Sequence, residues 1–375
     1  MSTASAHPAG NGPVGVGIIG AGTISNEYLD NLTRFPDVTV HAIGDIFPEA
    51  AKAQADKYKI DAHGGVDAVL QHPDVELVVN LTIPAAHVEV ATAALRAGKH
   101  VWSEKPFSLD RPSGIQLLKE AESSGLRLGC APDTFLGAGL QTARRMIENG
   151  DIGTPLTALT LMQSPGPESW HPNPAFLFAE GAGPLFDIGP YYLTTLVQTF
   201  GPIAKVAAMG NKSRTQRTIG SGPKAGEVFD VTAPTHVSAL AEFESGAASQ
   251  SVLSFDSPLP RAGFVEVTGT EATMSFPDPN MFTGQIKIHR LGSDDWVTVD
   301  ATGAESGRGT GALEMARAIR SGEPHRAPGT LAYHVLDAMV SVNESLQSSE
   351  FIDVESTTEP VRPLPETWDP FAATV

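Results

Sequence analysis

The run Val14-Gly15-Val16-Gly17-Ile18-Ile19, followed by Gly20-Ala21-Gly22, constrains this chain most. The apolar run reads as a buried strand, and the glycines at its end read as a tight turn that opens a helix. Two overlapping registers match a dinucleotide fingerprint. Gly15-x-Gly17-x-x-Gly20 lies inside the apolar run and would put the turn in mid-strand. Gly20-x-Gly22-x-x-Ser25 starts where the strand ends, which is the context the motif needs. In that register Gly20 permits the turn and Gly22 lets a pyrophosphate approach the backbone. Ser25 replaces the usual third small residue and could cap the helix or bond phosphate.

Strand-like and helix-like segments then alternate. Val14–Ile19, Val38–Ile43, Leu77–Leu81, His100–Trp102 and Arg127–Cys130 read as strands. Helices are expected near Ser25–Arg34, Pro48–Tyr58, His87–Ala97 and Arg111–Ser124, with Pro48 in a first turn and Gly98 and Gly125 just past helix ends. This pattern predicts an α/β Rossmann domain, a doubly wound parallel sheet, over residues 14–135. Past residue 150 the texture changes. Runs at hairpin spacing follow: Ile203–Met209, His236–Phe243, Ala247–Phe255, Phe264–Thr268, Ala272–Phe276, Gln285–His289 and Trp296–Val299. With two late helices, near Gly311–Arg320 and Thr330–Gln347, they predict an α+β domain over 136–354 built on a large, mostly antiparallel sheet. The tail 355–375 carries Pro360, Pro363, Pro365 and Pro370 and reads as an extended strap. Residues 1–13 are small and polar, without a secretory signal, and are expected to be a disordered leader.

A length of 375 residues suits two domains, and 41% hydrophobic residues can fill their cores. A net charge of −18 argues against nucleic acid and against an anionic membrane surface as partners. It leaves room for a phosphate-bearing cofactor, because helix N-termini and backbone N–H groups bind phosphate locally. The single cysteine, Cys130, excludes an intrachain disulfide and a cysteine-based zinc site. No His/Asp/Glu spacing suggests another metal site. No run of about 18 apolar residues marks a membrane span. A cytoplasmic protein is the expectation.

Asp45 ends the second strand, 23 residues past Gly22, near the spacing of a ribose-binding acid. Its carboxylate can accept both ribose hydroxyls and would repel a 2′-phosphate. No Arg or Lys follows in Ile46-Phe47-Pro48, so NAD is favoured over NADP. A turn or helix-cap aspartate ahead of Pro48 is the alternative. Asn80-Leu81-Thr82-Ile83-Pro84 ends the next strand, where parallel strands line the cofactor crevice, so Thr82 and Pro84 would touch the cofactor. His87 would open the next helix, with or without a chemical role. Glu104-Lys105-Pro106 follows a further strand and can put a lysine where a bound nicotinamide would sit. The expected cofactor contacts are Gly20, Gly22, Thr23, Ile24, Asp45, Thr82, Pro84, His87, Glu104 and Lys105.

These motifs, with a later Gly181-Ala-Gly183-x-x-x-Asp187-x-Gly189-x-Tyr191, occur in one order. The chain resembles the glucose–fructose oxidoreductase, inositol dehydrogenase and rhizopine-catabolism family of oxidoreductases, from about Val14 to Phe371. The resemblance implies that Lys105 sits at the nicotinamide, often before a cis proline bond, and that Asp187 orients substrate and catalyst. Members usually carry histidine four residues after that aspartate; this chain has Tyr191, with Tyr192 beside it. A free tyrosine has a pKa of about 10, so a base here needs a neighbouring cation such as Lys105. Tyr191 is otherwise a packing residue with Lys105 the only base, and Asp187 is otherwise a helix cap.

Trp170 could offer a platform to a sugar ring and His171 a hydrogen bond to its hydroxyls, unless both are loop anchors. Asp133 is placed to face the crevice, and the Ser306–Gly309 loop could reach it. The resemblance implies an NAD-dependent dehydrogenase of a sugar, sugar derivative or cyclic polyol, packed as a homodimer or homotetramer through the second domain's sheet. Rival readings are a keto-sugar reductase, a glycosidase that recycles bound NAD, and a non-catalytic nucleotide sensor.

Overall fold

The computed structural model describes residues 10–375. Most of the expected leader therefore lies outside the described residues. The chain divides into two compact units.

The first unit comprises the described residues up to Gly137, then Gly303–Tyr333 and Leu364–Val375. Its first stretch runs β1 (Val14–Ile19), α1 (Ile24–Leu32), β2 (Val38–Gly44), α2 (Pro48–Tyr58), β3 (Ala62–Gly64), α3 (Val66–Leu70), β4 (Leu77–Asn80), α4 (His87–Arg96), β5 (His100–Ser103), α5 (Arg111–Ser124) and β6 (Leu128–Cys130). The strands form one sheet in the order β3-β2-β1-β4-β5-β6. Every pair is parallel, with Val14 opposite Val38 and Ile19 opposite Asn80. Every residue of β1 and β4 is buried, as expected of a parallel sheet covered on both faces. Helix ends follow local chemistry. Asp110 accepts the Ser113 N–H at 2.8 Å to cap α5, and Gly125 closes it at φ 65°.

The second unit comprises Ala138–Thr302 and His334–Pro363. It opens with α6 (Ala138–Glu148), β7 (Pro155–Gln163) and α7 (Gly183–Phe200). Then come β8 (Ile203–Asn211), β9 (Gln216–Thr218), β10 (Val228–Asp230), β11 (His236–Phe243), β12 (Ala248–Ser254), β13 (Arg261–Gly269), β14 (Ala272–Ser275), β15 (Ile286–Arg290) and β16 (Val297–Val299). Helix α8 (Thr310–Ser321) belongs to the first unit, α9 (Gly329–Ser348) crosses the division, and β17 (Ile352–Asp353) ends the regular structure. Nine strands pair in the order β16-β15-β14-β13-β7-β12-β11-β8-β17. Only β7 and β12 run parallel. Helix α7 packs on β7, β11 and β12. β9 and β10 form a separate hairpin.

The expected contiguous boundaries differ from these units. Sequence position puts the helix near Gly311–Arg320 in the second domain, yet α8 packs on β1, β5 and β6. Residues 364–375 likewise return to the first unit. There buried Asp37 accepts the Thr374 N–H at 2.9 Å and hydroxyl at 2.7 Å, and Arg317 donates to the Asp369 and Ala372 carbonyls. Long-range packing and hydrogen bonds, which sequence position does not reveal, bring both stretches back to the first unit.

Candidate functional site

The strand order reverses between β1 and β4, and ligands of such sheets bind outside the carboxyl ends of the strands at that point. Gly20 sits there at φ 109°, and a Cβ on it would lie 2.6 Å from the Leu81 carbonyl. Gly15 and Gly17 lie inside β1, so the fingerprint register beginning at Gly20 is the one that forms the turn. Gly22 faces open space: nothing lies within 4 Å of where its Cβ would be. Thr23 precedes the first residue of α1, Ile24, and no side chain caps this helix. Buried Ser25 donates its hydroxyl to the Gly22 carbonyl at 2.7 Å, so it closes the turn rather than reaching for phosphate.

Asp45 holds the turn position that the alternative reading gave it. Its Oδ2 accepts the Ala21 N–H at 2.7 Å and its Oδ1 the Phe47 N–H at 2.8 Å. It therefore pins the glycine turn and shapes the entry to α2. Each carboxylate oxygen has two acceptor directions, so one on each remains for a ribose hydroxyl. An open Gly22, an uncapped α1 and a carboxylate fixed beside the turn fit a dinucleotide. Among the described residues no cluster of His, Cys, Asp or Glu could hold a metal ion.

The segment after β5 is held from both sides. Glu104 is buried; its Oε1 accepts the Tyr28 hydroxyl at 2.8 Å, and its Oε2 accepts the Lys105 N–H at 3.0 Å. Trp102 Nε1 donates to the Tyr28 oxygen at 3.2 Å. Burial, with the charges of Glu104 and Asp133, pushes the Tyr28 phenol well above its usual range, so Tyr28 stays a donor. His87 is buried, with one ring nitrogen 2.8 Å from the Pro106 carbonyl and the other 3.0 Å from the Thr82 carbonyl. Thr82 in turn donates its hydroxyl to Asn80 at 2.7 Å, and Asn80 donates to the His87 carbonyl at 3.0 Å. The His87 ring thus ties the end of β4 to the carbonyl of Pro106, the residue that follows the cis Lys105–Pro106 bond. Lys105 itself is half-buried, as is Pro84.

Asp133 does not face the crevice. It is fully buried and accepts the Gly309 and Gly311 N–H groups at 2.9 and 3.2 Å, capping α8. Burial raises its pKa against the opposing pull of Arg308. The Ser306–Gly309 loop is tied to α1 instead, where Asn31 donates to the Arg308 carbonyl at 2.9 Å.

In the second unit, α7 begins at Gly183, so Asp187 lies inside the helix and does not cap it. Asp187 and Tyr191 are four residues apart and share a helix face. Asp187 is half-buried and Tyr191 buried. The neighbouring phenol, Tyr192, accepts the Gly263 N–H at 2.8 Å, and burial raises its pKa, which makes it a structural residue. Trp170 is 67% exposed, and the rings of Trp170, His171 and Phe176 meet edge to face at 5.6 and 5.5 Å. Sequence reasoning missed Tyr28, Trp102 and Asn80. Helical periodicity marks Tyr28 as a core position and carries no sign of its distant partner.

The sequence model described as an oxidoreductase family with an NAD-binding Rossmann fold matches residues 14–131. That of the GFO/IDH/MocA C-terminal domain matches residues 140–275. The chain is 29% identical over 202 residues to the uncharacterized oxidoreductase YrbE of Bacillus subtilis, covering 52% of this chain and 58% of that one. It is 32% identical over 151 residues to an inositol 2-dehydrogenase/D-chiro-inositol 3-dehydrogenase of Lactiplantibacillus plantarum, covering 38% and 41%. The chain thus spans about half the length of the curated relatives it matches. The structure of a levoglucosan dehydrogenase in complex with NADH and L-sorbose has the same fold, with a TM-score of 0.80 at 20% identity over 92% of this chain and 99% of that one. Both units carry the family's signature, and the chain belongs to the GFO/IDH/MocA oxidoreductases, with the family's NAD-binding Rossmann fold in its first unit.

Proposed function

We propose that this protein is an NAD-dependent dehydrogenase that moves a hydride between its cofactor and a hydroxyl-bearing carbon of a cyclic polyol, sugar or sugar derivative. The observation that carries the reading is the Glu104-Lys105-Pro106 segment, clamped by Tyr28 and His87 in the NAD-binding domain that carries the glycine turn. Bound NAD supplies the hydride acceptor. The Gly20–Ile24 turn and the start of α1 take the pyrophosphate, and Thr82 and Pro84 line the nicotinamide side. Asp45 takes the ribose hydroxyls and disfavours NADP. Lys105 bonds the reacting hydroxyl, Tyr191 or Lys105 receives its proton, and Asp187 holds substrate or Lys105 in orientation. Trp170 and His171 contact the ring and its hydroxyls. The polyol class draws support from the relative named for inositol oxidation and from the neighbour that holds L-sorbose.

The test is NADH formation from NAD over a panel of sugars, glycosides and cyclic polyols, repeated with NADP and with Lys105→Ala. General-base loss costs about 10²–10⁴-fold, so the variant should lose turnover while NAD binding persists. Steady activity in the variant, or no NADH from any polyol, would sink the reading. The exposed sheet face bearing Leu159, Leu240 and Phe351 supports a homodimer or homotetramer, which light scattering would test. We also propose that it acts in the cytoplasm, which cell fractionation would test. Separately, among the described residues no helix is long and apolar enough to cross a membrane.

A further inference from the structure

Arg217 on β9 has a side chain only 2% exposed, in the second unit. Its Nη1 donates to the Pro165 carbonyl at 2.9 Å and to Glu168. Its Nη2 donates to the Phe255 carbonyl at 2.9 Å and to Asp256. Its guanidinium lies over the Phe178 ring, 4.9 Å from the centroid. Only a planar fork can serve two carboxylates and two carbonyls at once. Burial alone would raise the Asp256 pKa. Hydrogen bonds from Ser213 and Thr235 and the Arg217 charge outweigh it and hold the carboxyl below the usual range, so the pair is ionised.

These partners enclose one loop. Pro165 and Glu168 begin the segment 164–178 and Phe178 ends it, while Phe255 and Asp256 follow β12. Gly220, in the β9–β10 connection, adds a bond to the Glu168 carbonyl at 2.8 Å. Phe178 and Phe255 share a buried cluster with Val231, against which Ile188 packs, next in sequence to Asp187. The loop's crest is formed by exposed Trp170 and Phe176, with half-buried His171 between their rings. A loop rich in proline, fastened at both ends by one buried cation, loses little further entropy when a ligand binds.

We propose that Arg217 is a positioning residue for the substrate. It fixes the 164–178 loop, so that Trp170 and His171 form a ready-made contact for a ring-shaped polyol or sugar. The inference rests on the substrate roles proposed above for those two residues.

The test compares wild type with Arg217→Lys, which keeps the charge and loses the fork, and with Glu168→Gln, which loosens only the loop side. Both are measured in the full-length protein for KM and kcat with the best polyol of the panel, for NAD affinity, and for hydrogen exchange of residues 164–178. The expected result is a KM raised at least tenfold, with kcat within about threefold, NAD affinity unchanged, and faster exchange at Trp170 and His171. An unchanged KM in a folded, NAD-binding variant overturns the proposal, as does unchanged exchange. If Arg217→Lys loses its fold altogether, the same two readouts in Glu168→Gln decide. If wild type forms no NADH with any polyol, the functional reading fails by itself, and the clamp stands or falls on the exchange of 164–178.

Discussion

The Tyr28 hydroxyl donates to Glu104 Oε1 at 2.8 Å, in a part of the first unit closed to water. The contact joins α1, whose start is the proposed pyrophosphate site, to the residue before Lys105. Tyr28→Phe would leave both the Glu104 oxygen and the Trp102 N–H without this partner. An unsatisfied buried group costs about 1–3 kcal/mol, more when charged. Thermal unfolding should therefore show a midpoint lower by several degrees, together with reduced turnover. A wild-type midpoint and rate would mean that Tyr28 contributes only packing.

Asp45→Ala removes the acceptor that pins the Ala21 N–H as well as the proposed ribose contact. Hydrogen bonds to charged groups are worth about 1.5–3 kcal/mol, so NAD affinity should fall roughly 10- to 100-fold. NADP affinity should change less, because the same change removes a repelling charge. Fluorescence titration with each nucleotide measures the ratio. An equal fall for both would restrict Asp45 to its bond with the turn.

His325 is the clearest source of pH dependence. Burial, with the nearby Arg127 charge, pushes its pKa down to about 4. Its Nε2 sits 3.2 Å from the Leu128 carbonyl and its Nδ1 faces Arg127, an arrangement for the neutral ring. Between its folded value of about 4 and its ordinary value of 6.5 the unfolded chain binds the extra proton, so stability falls as pH is lowered through that window. His325→Gln should flatten this slope in denaturant unfolding measured from pH 7 to pH 4. A slope identical to wild type would assign the effect to other groups.

Gly311 carries α8 onto the Trp102 ring. A Cβ at this position would lie 2.0 Å from Trp102 Cη2. Overpacking of this kind costs about 1–3 kcal/mol. Gly311→Ala should lower the unfolding midpoint and also weaken NAD binding, because Trp102 holds Tyr28. Calorimetry with and without NAD checks both.

Elements whose ends are marked by local chemistry are readable in the sequence. β1 and α2 match to the residue, and so does α5, with Asp110 at its start and Gly125 at its end. β7 leaves no such mark. Its Pro-Leu-Thr-Ala-Leu-Thr-Leu-Met-Gln is rich in good helix formers, and its strand form comes from pairing with β12 and β13 on either side. β3 and α3 are too short to show a period. In the candidate site the glycine turn and Asp45 are legible because their spacing is local. The partners of Arg217 lie 49 and 39 residues away, and the Asp133 contacts with α8 lie 176 and 178 away, so only the folded chain reveals them.

The nucleotide-binding unit draws on three separate stretches of chain. A gene fragment ending at Gly137 would encode the whole parallel sheet but not α8, leaving Trp102 uncovered and Asp133 without the backbone it caps. During synthesis the first domain to begin is thus among the last to finish, since the ribosome must first deliver the sheet of the second. Recombination at the apparent domain boundary would yield a truncated nucleotide domain, and a functional graft must carry all three stretches together.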